Sequence, residues 1–211
     1  EWGVDYLKYD NCFNENVPGI ERYTKMRDAL KSTGRHIFYS LCQWGEESSW
    51  QWAPALANSW RTTGDIEPRW ASIQRNFWQN QQHRSRAKPG SWCDPDMLEV
   101  GNGDMSDDEN RAHFSLWCLA KAPLLLGNDL TIMTDAVKDV LTNTRLIAVN
   151  QDPNAPMADC FEGCSEDANY SVLATTVTNG DTVVVAVNWR STTRGPSLLP
   201  SWPIGVVRGP N

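Results

Sequence analysis

The sequence predicts an α/β protein: a parallel sheet laid down by βα units, followed by a small antiparallel β domain. Three observations carry this. Strand-like apolar runs alternate with segments of helical period through about residue 150. One of those runs, "HIFYSLC", is apolar almost throughout, as expected for a strand covered on both faces of a parallel sheet. Beyond "VNQDP" (149–153) the alternation stops, and two β-rich runs flank an Asn-Gly turn signal.

The elements follow in order. "VDYLKYD" is the first strand, and its period of two puts Tyr6, Lys8 and Asp10 on one face, with Leu7 and Tyr9 on the other. Charges are costly to bury unless paired or put to use, so Lys8 and Asp10 are candidate functional groups. After Pro18, Ile20, Tyr23, Met26/Arg27 and Leu30 recur at helical spacing until Gly34. "HIFYSLC" is the second strand and "SWRTTGD" the third, the latter with Arg61, Thr63 and Asp65 on one face. Ile66, Trp70, Ile73 and Phe77 mark a helix with Pro68 near its first turn. "SWCDPDM" ends a shorter fourth strand, with Asp94 and Asp96 around Pro95.

"SDDE" (106–109) is a capping box whose acidic residues suit the positive end of a helix running to Lys121. "PLLLGND" reads as a fifth strand, and "TDAVKDVL" opens a helix capped by Thr134. After "VNQDP" comes a Pro/Asn/Asp/Gly-rich segment without periodicity. "YSVLATTV" and "TVVVAVNWR" then form a hairpin through "TNGD". The last twenty residues, with four prolines, read as irregular. The expected division is residues 1–155 for the βα part and 156–211 for the start of an incomplete β domain.

Composition excludes several functions. A net charge of −7 with no basic run argues against nucleic acid or an anionic membrane surface as partner. No apolar stretch approaches the ~20 residues of a membrane span. The three histidines, His36, His83 and His113, lie far apart and the cysteines show no paired zinc spacing, so no metal site is expected. Cys160 and Cys164 in "DCFEGC" read as a short disulfide loop, which implies an oxidising compartment. Asn169-Tyr170-Ser171 has the form of an N-glycosylation acceptor. The chain starts one residue before a Trp-Gly that leads straight into a strand, which reads as the middle of a protein.

The chemistry gathers at strand ends. Lys8 with Asp10, Arg61 with Asp65, and Asp94 with Asp96 close successive strands, and in a (β/α)₈ barrel those ends build the active site. No Ser-His-Asp or Cys-His set and no phosphate-cradling glycine loop is present. Two carboxylates with basic neighbours, in a chain with eleven tryptophans to stack on sugar faces, match the needs of glycoside hydrolysis. Lys8 beside Asp10 favours the ionised carboxylate.

"YLKYDNC", "YSLCQWG", "SWRTTGDI", "SWCDPDML", "APLLLGNDL" and "VNQDP", in that order, closely resemble the α-galactosidases of glycoside hydrolase family 27, especially the secreted fungal enzymes. The likeness covers about residues 1–155. It implies a retaining, cofactor-independent hydrolase acting on terminal α-galactose in oligosaccharides or galactomannan. It implies Asp10 as nucleophile and Asp65 as acid/base. The expected sugar contacts are Lys8, Cys12, Gln43, Trp44, Arg61, Asp96 and Met97. The family fold is a (β/α)₈ TIM barrel followed by an antiparallel β domain, so this chain would hold strands 4–8 and lack the first three βα units. Cys12 would lose its usual disulfide partner, which lies in those units. Cys93 and Cys118 either pair or stand as two buried thiols, and Cys42 is a packed thiol. Gln43 stands where many relatives have Glu, and Cys93 where many have Asn. Rival activities are α-N-acetylgalactosaminidase, which the bulky Gln43-Trp44 pair disfavours, β-L-arabinopyranosidase, and a non-catalytic sugar-binding barrel. The resemblance implies secretion, with lysosome or vacuole as the alternative.

Overall fold

The computed structural model describes residues 2–190 and the backbone of 206–207. Two four-stranded sheets follow one another along the chain. The first is parallel, in the order β1 (Tyr6–Asp10), β2 (Phe38–Cys42), β3 (Ser59–Arg61) and β4 (Trp92–Asp94). α1 (Gly19–Ser32) and α2 (Trp70–Gln81) belong to its crossovers, and α3 (Asp107–Leu119) follows β4. α4 (Asp135–Leu141) and α5 (Thr144–Gln151) lead to the second sheet. That sheet is antiparallel: β5 (Asp159–Glu162), β6 (Tyr170–Thr176), β7 (Thr182–Asn188) and β8 (Val206–Val207). The reading of the last twenty residues lies outside the described residues, apart from β8.

Register gives the parallel sheet two unlike faces. Lys8 pairs with Ser40, Asp10 with Cys42, Ser40 with Ser59, and Arg61 with Asp94, so these side chains share one polar face. The opposite face is apolar: Tyr9, Tyr39, Leu41, Trp60 and Cys93. Tyr9 meets Tyr23 of α1 edge-on at 5.0 Å, and Tyr39 Oη donates to the Tyr23 carbonyl. Ile73 and Phe77 of α2 are buried in the same core, which continues into Leu116, Trp117 and Leu119 of α3. Hydrophobic burial on one face therefore holds the sheet while the other is left for polar groups.

Several expectations are met. Ser106 caps α3 with the reciprocal Glu109 bond, and Thr134 Oγ1 accepts from the Val137 amide at the start of α4. Cys160 and Cys164 are disulfide-bonded, whereas Cys12, Cys42, Cys93 and Cys118 are free thiols. The β6–β7 turn has only Gly180 at positive φ, with Gly180 N donating to Val177 O and Val177 N to Asp181 O. That is a type I turn with a glycine bulge.

Four readings are corrected. "PLLLGND" is not a strand but a single parallel bridge, Leu98 to Leu126. Asp96, at φ 93°, kinks the chain beyond β4, and Pro123 has no N–H to offer a longer ladder. Ile66 and Pro68 precede α2 rather than open it, because the Ile66 and Glu67 amides are bonded to Asp96 Oδ2 and Ser72 Oγ. Thr63 and Asp65 lie beyond β3, in the loop that follows it. α5 and β5 are additional: Asn143 Oδ1 caps α5 by accepting from Arg145 N and Leu146 N, and β5 sits in the segment expected to be irregular.

The two sheets are sewn together. Trp189, just past β7, packs on Trp70, Phe77 and Trp78 of α2 with ring centroids 5.6 to 6.0 Å apart. The Asp152 carboxylate, at the end of α5, accepts from the Thr178 amide at 2.8 Å and the Thr178 hydroxyl at 2.6 Å. Lys121, at φ 53° just beyond α3, donates Nζ to the Val149 and Asp152 carbonyls. It thereby ties α3 to the same junction.

Candidate active site

The polar face ends in a cluster at the C-terminal ends of β1 to β4. Its centre is Arg61, which is 1% exposed although it carries a charge. Arg61 Nη2 lies 2.8 Å from Asp96 Oδ2 and 3.2 Å from Asp65 Oδ1. The same nitrogen donates to the Thr63 and Gly64 carbonyls, and Nη1 approaches Cys42 Sγ at 3.6 Å. One planar guanidinium thus links the ends of β2, β3 and β4.

Asp10 lies at the end of β1, opposite Cys42. Its Oδ1 accepts from the Asn11 amide at 2.7 Å, the Cys12 amide at 3.3 Å and Cys12 Sγ at 3.2 Å. Partial burial works to raise its pKa, but hydrogen bonding from Cys12, Cys42 and the two amides outweighs it and holds the carboxyl below the usual aspartate range. Lys8 is not among these leading influences, contrary to the sequence reading; its charge acts on Tyr6, Cys42 and Asp94. Cys12 is exposed, and its thiol is pushed up first by its hydrogen bond to Asp10 and, more weakly, by the charges of Asp10 and Asp65.

Asp65 is 80% exposed at its side chain, in contrast to its buried neighbours. Its loop is tied to the turn after β4: Thr62 N donates to Asp94 O, Thr63 Oγ1 to Pro95 O, and Ile66 N to Asp96 Oδ2. Asp96 is buried at φ 93°, a conformation costly for a non-glycine residue. Ion pairing with Arg61, the Ile66 amide on its carboxylate and Trp117 Nε1 on its carbonyl at 2.7 Å over-determine that geometry. Met97, half-buried, donates its amide to Asp96 Oδ1.

The structure separates the expected pair Gln43-Trp44. Gln43 follows Cys42 out of phase with the polar face and is fully buried, with neither side-chain amide atom hydrogen-bonded. Trp44 is half-buried at φ 62°. Gly45 packs against the loop after β3: a Cβ there would lie 2.4 Å from the Thr62 carbonyl oxygen. Cys42, not singled out for the site, now joins it, and Asp94, expected at the strand ends, lies within it. Cys42 stands between Asp10 and Arg61, its thiol pushed up to about 11 by burial against the lowering pull of Arg61 and Lys8. Asp94 is wholly enclosed; burial raises its pKa despite Arg61 and the Asp96 amide. Strand parity was the signal for Cys42, since it shares the phase of Asp10 in a parallel register.

A buried guanidinium among buried and exposed carboxylates at strand ends suits the stabilisation of charge developing on a sugar ring. Comparison with known proteins agrees. An α-galactosidase of Cyamopsis tetragonoloba is 44% identical over 209 residues, covering 99% of this chain and 50% of the relative. Among solved structures, α-galactosidase I of Mortierella vinacea superposes with a TM-score of 0.83 at 36% identity, covering 89% of this chain and 53% of that one. The Saccharomyces cerevisiae α-galactosidase with raffinose gives 0.75 at 32% identity, covering 88% and 49%. The chain therefore spans about half the length of these relatives. Residues 1–152 match the family described as Melibiase_2, alpha galactosidase A, and the chain belongs to that family, glycoside hydrolase family 27.

Proposed function

We propose that the protein is a retaining α-galactosidase that removes terminal α-galactose from oligosaccharides of the raffinose type or from galactomannan side chains. In this reading residues 1–155 supply the strand 4–8 part of a (β/α)₈ barrel, β1–β4 being the fourth to seventh strands and the Leu98–Leu126 bridge standing at the place of the eighth, and 156–211 open its antiparallel β domain. The observation that carries the reading is a pair of exposed carboxylates on one end of the sheet, Asp10 closing β1 and Asp65, in the loop after β3, ion-paired with the buried Arg61.

Asp10, ionised, attacks the anomeric carbon as Asp65 gives its proton to the leaving oxygen. The glycosyl ester on Asp10 is then hydrolysed by a water that Asp65 deprotonates. Two inversions return the α-anomer. Lys8, Cys12, Arg61, Asp96 and Met97 line the sugar, with Cys42 from the end of β2 and Trp44 from the loop after it. The Cys160–Cys164 disulfide supports a secreted protein, with Asn169, exposed, as its glycosylation site.

The test is Asp10→Asn in the whole protein. Hydrolysis of p-nitrophenyl α-galactoside should vanish with the circular dichroism spectrum unchanged, and proton NMR of the wild-type reaction should show α-galactose first. Near-normal activity in the variant, or β-galactose as first product, refutes the mechanism.

A further inference from the structure

Asp65 needs a defined aim, yet its carboxylate is mostly in solvent and shares Arg61 with Asp96. What is fixed is the backbone beneath it. One turn of α2 faces the loop, and its side chains bond to that backbone. Asn76 Nδ2 reaches Thr63 Oγ1 at 3.2 Å, the Gly64 carbonyl at 3.2 Å and the Pro95 carbonyl at 3.0 Å. Arg75 Nη2 reaches the Asp65 carbonyl at 3.3 Å, while Arg75 Nε donates to Asn76 Oδ1. Ser72 Oγ accepts from the Glu67 amide. One turn farther along, Asn80 Oδ1 accepts from Thr62 Oγ1 at 2.6 Å.

Asn76 is the hub of this set and is fully buried. Asparagine is a poor helix former, and burying its amide gains little net stability even when it is hydrogen-bonded. Its neighbours Ile73 and Phe77 are core residues, so an apolar side chain would serve the helix better. The three acceptors of Nδ2 share one property: they belong to the two loops that carry Asp65 and Asp96.

We propose that Asn76 is a positioning residue for the acid/base: it locks the 63–65 loop to the Pro95 turn, so that the backbone aims the Asp65 carboxylate at the leaving oxygen. This rests on the reading of Asp65 as acid/base given above. Asn76 touches no substrate and acts only through the loop.

A leaving-group comparison in the whole protein separates this from a merely structural role. 2,4-Dinitrophenolate departs without a proton, whereas the glucose of melibiose needs one. Asn76→Ala and Asn76→Leu should lower kcat/KM for melibiose on the order of 10²-fold, with 2,4-dinitrophenyl α-galactoside changed less than about threefold. Asp65→Ala is the control and should show a deeper split of the same kind. If Asp65→Ala splits the substrates and the Asn76 variants lower both equally, or neither, the positioning role is wrong. If Asp65→Ala shows no split, the acid/base assignment itself fails. Should the Asn76 variants not fold, Thr63→Val removes one anchoring hydroxyl and should give the same split at smaller amplitude; equal losses there overturn the proposal.

Discussion

Arg61 and Asp96 form a buried ion pair, Nη2 to Oδ2 at 2.8 Å, with 2% and 9% of their side-chain surfaces exposed. Asp94, also buried, pairs in register with Arg61 and feels its charge. Removing the cation strands two buried carboxyls together. Arg61→Met should cost about 3–5 kcal/mol, read as a lower urea midpoint. Arg61→Lys should recover only part of this, because one ammonium on a shorter side chain cannot hold Asp65, Asp96 and the two loop carbonyls where Nη2 does and also reach Cys42 as Nη1 does.

The pH dependence of activity should follow Asp10. Its folded pKa is depressed, so the nucleophile stays ionised below the ordinary aspartate value of about 3.9, and the acid limb of kcat/KM lies below that. Cys42 is one of the donors responsible. Cys42→Ala should move the limb up in pH, whereas Cys42→Ser keeps a donor and should leave it near the wild-type position. A pH–rate profile of the three proteins decides it. The stability linked to Asp10 has the same sign: present above the unfolded aspartate value, lost as pH falls through the folded one.

Trp117→Phe tests the support of Asp96. The change keeps a buried ring but removes the Nε1 donor from the Asp96 carbonyl. An unsatisfied buried acceptor costs about 1–3 kcal/mol, and chemical denaturation should show a loss in that range. A cost near zero would mean that Asp96 holds its φ without this bond.

Asp152→Asn tests the junction of the sheets. Hydrogen bonds from Thr178, outweighing slight burial, and from the Asn154 and Ala155 amides hold the Asp152 carboxyl well below the ordinary range. The variant should melt below wild type at neutral pH. A depressed folded pKa gives stability that is present above the unfolded value and lost as pH falls toward the folded one. The gap between the two melting temperatures should therefore narrow in strong acid.

The legible parts of the fold were those written in local terms. Period-two alternation in "YLKYD" specified the polar face, and the Ser106 and Thr134 caps announced their helices. Failures came where long-range contacts overrode local preference. Leu124 to Leu126 look like a strand, but the kink at Asp96 leaves them one partner residue. β5 is polar and short, and only its pairing with β6 makes it a strand. The same split holds at the site. Asp10, Lys8 and Arg61 follow from spacing, and strand parity put Cys42 on their face, whereas the enclosure of Gln43 and the role of Asn76 depend on which neighbours tertiary packing brings.

Gly45 has a consequence for engineering. Its φ of 78°, and the 2.4 Å that would separate a Cβ at this residue from the Thr62 oxygen, leave no room for any side chain. Residues 43–47 and 62–67 therefore behave as one cassette. Transplanting either loop from a related scaffold without the other would push a foreign backbone into its neighbour, and with it the peptide groups that hold Asp65. Changes of substrate preference at this rim should be sought by exchanging both loops in a single step.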